Sequence, residues 1–154
     1  MPPVQTAASA SATKSISYPI RRIQIALAVT FFGFLVFLIG ARPDVFGLDR
    51  SPILGFVQIA VFEVGLAIMC IGGYISMISL WKKQPLSIAA DIGARMVATG
   101  YLVAIFAGMA DIVGLGSHLP PELPYFGVWQ QAGVMFGMFI IVIGFLLLLP
   151  YRRR

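Results

Sequence analysis

Apolar residues run along this chain in four long blocks, roughly 23–41, 53–81, 88–113 and 125–149, separated by short polar connections. A hydrocarbon core about 30 Å thick takes about 20 helical residues at roughly 1.5 Å each, and every block meets or approaches that length. The pattern predicts an all-α fold, a four-helix transmembrane bundle. Short connections make sequence neighbours antiparallel, so the expected order is up-down-up-down. Residues 18–154 then form a single four-span domain. Residues 1–17, rich in Ala, Ser, Pro and Thr and without hydrophobic periodicity, read as a disordered cytoplasmic tail.

Punctuation sharpens these boundaries. Ser51 and Pro52 suit the N-cap and first position of the second helix, and Trp81 suits the membrane interface at its end. Gln84-Pro85-Leu86-Ser87 is a short hairpin connection, with Pro85 or Ser87 opening the third helix. Pro120, Pro121 and Pro124 make the last connection stiff and non-helical. Pro150 and three arginines stop the fourth helix.

Small residues recur at helical spacing within the spans. On the second, Gly55, Gln58, Phe62, Gly65, Met69, Gly72, Ser76 and Ser79 fall on one face. The third carries Gly100, Ala104 and Gly108, and the fourth Gly133 and Gly137, continued at Gly144. Lipid supplies no hydrophobic drive for association, so close backbone approach at small residues is the expected glue. These positions read as bundle seams. The phenylalanines of the first span, Phe31, Phe32, Phe34 and Phe37, read as lipid-facing.

Against that apolar background, Glu63 is the most informative residue. It lies about ten residues, roughly 15 Å, inside its span, where an ionised carboxylate costs at least about 2.5–3.5 kcal/mol. It shares a face with Ala60, Ala67, Cys70 and Tyr74, away from the Gly55–Ser79 stripe, and so should meet a second neighbour, a partner subunit or a cavity. Two roles fit: a proton- or cation-binding carboxylate, or a protonated acid hydrogen-bonded between helices. Gln58, Asp111, Gln130 and Gln131 come to comparable depth when the hairpins are folded. That cluster suits a headgroup, a quinone-like carbonyl or a cation, or simple hydrogen bonding between helices. Asp91 and Arg95 stand four apart, the spacing of an ion pair along a helix. With Lys82 and Lys83, Arg95 could instead hold a lipid headgroup.

Composition agrees with a lipid environment: 59% of residues are hydrophobic and 11% charged, against about 25% charged in soluble domains. The net charge of +5 is a topology signal, because the basic residues segregate. Lys14, Arg21, Arg22, Lys82, Lys83 and Arg152–Arg154 flank one side, whereas Arg42 and Arg50 are offset by Asp44, Asp49 and Glu122. Both termini and the Lys82–Lys83 loop are therefore expected in the cytoplasm, most simply at the plasma membrane. Without aromatic platforms or a recognition fold, nucleic acid is not an expected partner. A signal-peptide reading of the first span fits poorly, since the apolar run exceeds about 7–15 residues and Ile39 is a poor cleavage-site residue. Arg21–Arg22 fits an ordinary cytoplasmic span end as well as it fits twin-arginine export.

The chemistry on offer is sparse. Cys70 is the single cysteine and has no partner for a disulfide or thiolate metal site. The lone histidine, His118, falls in a connection, so no span carries a haem or pigment ligand. No HExxH, CxxC, GxSxG or P-loop occurs, no metal site is expected, and no cofactor is implied. The preferred expectation is a non-enzymatic integral membrane protein, an accessory or structural subunit packing against itself or a larger complex among membrane lipids. The alternative is a small oligomeric transporter or channel using Glu63 with Gln58 or Asp111. A third reading, a lipid-modifying enzyme using Asp111 and His118, lacks a demonstrable acid–base pair.

Overall fold

Residues 17–47, 56–81, 84–110 and 127–150 are described by the computed structural model. They form four long helices, α1 (Ser17–Ala41), α2 (Phe56–Leu80), α3 (Ile88–Gly108) and α4 (Val128–Leu148), with a 3-10 turn at Pro43–Phe46. Among the described residues there is no strand. Each helix is long and apolar enough to cross a membrane, and the chain is a multi-pass membrane protein. Its outward surface fits lipid: Leu27, Phe31, Phe106 and Phe139 are all largely exposed, an arrangement that water would penalise.

Two tight helix pairs make up the bundle. α1 packs chiefly on α2 and α3 chiefly on α4, while α2 makes lighter contact with both helices of the second pair. Glycines set the closeness of each pair. A methyl group built on Gly33 would lie 2.5 Å from the backbone nitrogen of Met69, and one on Gly72 would lie 2.6 Å from that of Thr30. Gly40 and Gly65 similarly press on the backbones of Phe62 and Phe37. Along this seam the partner's number falls as the glycine's rises. In the second pair Gly100 and Gly137 each face the other's carbonyl oxygen at 2.6 Å from the built methyl position, and Gly93 and Gly144 do the same at 2.6 and 2.7 Å. Any side chain there would force the helices apart, at about 1–3 kcal/mol for modest overpacking.

The expected stripe on α2 is thus spent inside the chain, against α1. Its partner positions, Ala26, Gly33 and Gly40, are spaced by sevens in a span dominated by phenylalanine. Phe37 is not lipid-facing as expected. It packs against the core, its ring centroid 4.7 Å from that of Phe62. Phe31, Phe32 and Phe34 do face outward. The two pairs meet around Leu66, Cys70, Val97, Ala104 and Ile141.

Helix ends follow local chemistry. Ser87 caps α3, its hydroxyl accepting the Ala90 N–H at 3.1 Å, with Asp91 in the first turn where a negative charge suits the helix dipole. At α4 the Gln130 side chain reaches back to accept the Gly127 N–H at 2.8 Å. The 3-10 turn closes at Gly47, whose φ of +65° favours glycine. α1 begins at Ser17 rather than near residue 23, so Arg21 and Arg22 lie on the helix. α3 ends at Gly108, five residues short of the expected 113. There Met109 N–H bonds to the Ile105 carbonyl at 2.8 Å and Ala110 N–H to that of Ala107 at 3.4 Å, a closing turn. The Ser51–Pro52 cap and the proline-rich connection lie outside the described residues.

Candidate functional site

Glu63 lies seven residues, about 10 Å, from the first residue of α2. With Gly65 and Gly72 committed to α1, its side chain points to the other pair, as the sequence's face assignment required. It is 3% exposed, and its Oε1 rests against Gly108 of α3. That oxygen has no hydrogen-bond partner among the described residues. A buried polar atom left unpaired costs about 1–3 kcal/mol, more if charged. The second neighbour is therefore a helix of the same chain, and it offers the carboxylate a bare backbone position rather than a donor.

One polar group approaches from the far side. The Tyr101 hydroxyl donates to the backbone carbonyl of Glu63 at 3.5 Å, the outer limit of a hydrogen bond. The carboxylate itself receives nothing from it. Gln130, 9% exposed, is the other buried polar side chain among the described residues, and its Nε2 likewise has no partner there. The Gly100–Gly137 contacts and the approach of Gly133 to Ala107 bring Gly108 near the level of the first turn of α4. Glu63 and Gln130 thus belong to the same end of the bundle, although no hydrogen bond joins them.

Two hollows flank this layer. A groove of about 520 Å³ between α2 and α3 runs from the Asp91–Arg95 pair past Tyr74 and Cys70 to Ala67 and Tyr101. At the opposite end a cleft of about 250 Å³ opens among all four helices, bounded by Gly40, Ile59, Phe62, Gly108, Gln131 and Met135. Glu63 lies between them in sequence and in space: Phe62 is its neighbour, Gly108 touches its carboxylate, and Tyr101 reaches its carbonyl.

Other expected site residues are distributed differently. Arg95 pairs with Asp91 at 3.0 Å, both side chains well exposed, as the spacing of four predicts. Lys82 and Lys83, the rest of the expected headgroup site, lie outside the described residues, as do Asp111 and His118. Gln58 is half-buried and Gln131 exposed. Neither hydrogen-bonds to Gln130 or Glu63 among the described residues. Of the seam residues, Gly65, Gly72, Gly100, Ala104, Gly108, Gly133 and Gly137 all lie at helix contacts, with Gly108 doubling as the floor under Glu63. Among the described residues no three of His, Cys, Asp and Glu come together to hold a metal.

Two tethers lie outside the pattern of apolar spans and small-residue seams. Arg42 grips Asp44 through two guanidinium nitrogens at 3.0–3.2 Å. The pairing holds the Asp44 carboxyl below its usual range and the Arg42 guanidinium above its own, chiefly through the side-chain hydrogen bonds. The Trp81 indole N–H donates to the Leu148 carbonyl at 3.0 Å, tying the end of α2 to a carbonyl in the last turn of α4, where helix geometry leaves acceptors free. An aromatic residue at a span end announced only interfacial anchoring. No protein-family model matches the chain, and neither a curated protein nor a solved structure proved similar to it.

Proposed function

We propose that this protein is a small plasma-membrane carrier or channel in which Glu63 takes up and releases a proton or another monovalent cation. One observation carries the reading: a carboxylate almost wholly buried in a membrane bundle, with no donor among the described residues on its Oε1. Packing does not account for it, since the glycine seams close both helix pairs without its help. Intramembrane acids are expensive, and function is the usual reason for keeping one. The reading requires no bond-making chemistry and so no catalytic residues.

Topology supports the same picture. Opposed residue pairs along both seams favour the up-down-up-down order, and the basic residues at 14, 21–22, 82–83 and 152–154 favour cytoplasmic termini. Reporter fusions that place residues 82–83 outside the cell would overturn that orientation. For the function, purified protein in proteoliposomes should carry a proton flux that Glu63→Gln lowers about tenfold or more while insertion is unchanged. Equal flux in the two proteins ends the proposal.

The second reading is an accessory subunit of a larger membrane complex, or a homo-oligomer. It draws on α1, which packs chiefly on α2 and turns Leu27, Phe31 and Phe32 outward. The glycine faces that first suggested it are occupied within the chain. Crosslinking in native membranes, followed by gentle solubilisation, decides: a stoichiometric protein partner supports this reading, and recovery as a monomer removes it.

A further inference from the structure

We infer that Glu63 is the meeting point of two half-membrane passages, reached by protons through the α2–α3 groove from one face and through the four-helix cleft from the other. The inference rests on the proposed function and adds the route. The two hollows lie in opposite halves of the bundle. The groove is lined by residues 67–74 of α2 and 91–101 of α3, the halves adjoining the α2–α3 connection. The cleft is lined by the last residues of α1 and α3 and the first turns of α2 and α4.

Neither hollow reaches the carboxylate in this structure. On the groove side the closure is Tyr101, which lines the groove and touches the Glu63 backbone. Toward the cleft it is Gly108 with Ile59 and Phe62. Gly108 contributes no side chain to the barrier on the cleft side. Among the described residues the acid thus lies between two separate hollows and lines neither, the arrangement needed to load it from one side and unload it to the other. Asp91 and Arg95 give the groove, and Gln131 the cleft, polar groups able to hold water. Proton exchange leaves no other product: Glu63 gains the proton from water at one closure and returns it to water at the other.

Two plugging variants outside the Glu63 contacts test the route. Ala98, exposed and lining the groove, becomes tryptophan in Ala98→Trp; Met135, exposed and lining the cleft, becomes tryptophan in Met135→Trp. The readouts are proton flux in proteoliposomes and labelling of Glu63 by a water-soluble, membrane-impermeant carbodiimide, followed by mass spectrometry. Labelling is measured in right-side-out and in inverted vesicles. Each variant should lower flux about tenfold or more and slow labelling from its own side only. Unchanged labelling from the opposite side confirms that the variant is folded. If either plug leaves flux and same-side labelling as in the wild type, the two-passage route is wrong. Loss of flux in Glu63→Gln with silent plugs sinks the route and leaves the function standing. Full flux in Glu63→Gln sinks the function, and labelling from one side alone reduces the site to a one-sided binding pocket.

Discussion

At the scale of single residues, Glu63 carries the cost of a buried Oε1 with no hydrogen-bond partner among the described residues. Replacing it by the isosteric, neutral Glu63→Gln should therefore keep or raise resistance to unfolding even as flux is lost, the trade expected where an active group is kept against stability. Titration with dodecyl sulfate checks this: a marked fall in stability would show the carboxylate to be structural. Gly108→Ala acts in the opposite sense, because its methyl group would collide with Glu63 Oε1. The expected loss is about 1–3 kcal/mol, relieved when combined with Glu63→Ala. The Arg42–Asp44 pair yields a pH prediction. Because its folded value is depressed, Asp44 contributes stability that is present above its unfolded value of 3.8 and lost as pH falls further, through the folded value. The pair is solvent-exposed, so the effect on unfolding is small, and carbon NMR of the Asp44 carboxyl is the measurement that resolves it. Normal titration would mean that the pair does not persist. In the sequence the acid at 63 and the spacing of Asp91 and Arg95 were legible. That Glu63 would sit on Gly108 was not, since nothing local fixes the register of one helix against another.

Among the helices the organising period is seven. Ala26, Gly33 and Gly40 on α1, Gly65 and Gly72 on α2, Gly93 and Gly100 on α3, and Gly137 and Gly144 on α4 each recur at that interval. A strict seven-residue repeat keeps a seam in register along two left-handedly supercoiled helices. Gly100→Leu or Gly137→Leu should open the α3–α4 pair, seen as faster amide exchange along both helices, while α1 and α2 stay protected; uniform exchange across the chain would contradict the pairwise seams. Ser87→Ala should cost α3 about 1 kcal/mol through the lost cap. Span existence was readable because length and apolarity suffice for it. Span ends were less so: α1 extends back to Ser17 because Arg21 and Arg22 tolerate a helix that leaves the hydrocarbon, and α3 closes early through its terminal turn. The α1 seam was hidden because phenylalanines outnumber its small residues, and bulk draws attention away from spacing.

For the whole molecule, two self-sufficient hairpins with a lighter join imply that the join opens first. A chain cut within residues 84–87 and co-expressed as halves should yield two inserted hairpins that co-purify in mild detergent and separate in a harsher one. Collapse of either half alone would show that the core around Leu66 and Ile141 is needed from the start. The Trp81–Leu148 tether belongs to this join, and Trp81→Phe should weaken the association of the halves without altering either hairpin.

The order of synthesis gives the bare Gly108 platform a further meaning. The ribosome delivers α1 and α2 first, and their seam can close before any of α3 exists, which leaves the acid of the nascent hairpin turned toward hydrocarbon until the third helix arrives. During that wait hydrocarbon penalises a charged side chain more than a neutral one, so the arrival of α3 is the step that gives this acid a protein surface in place of lipid.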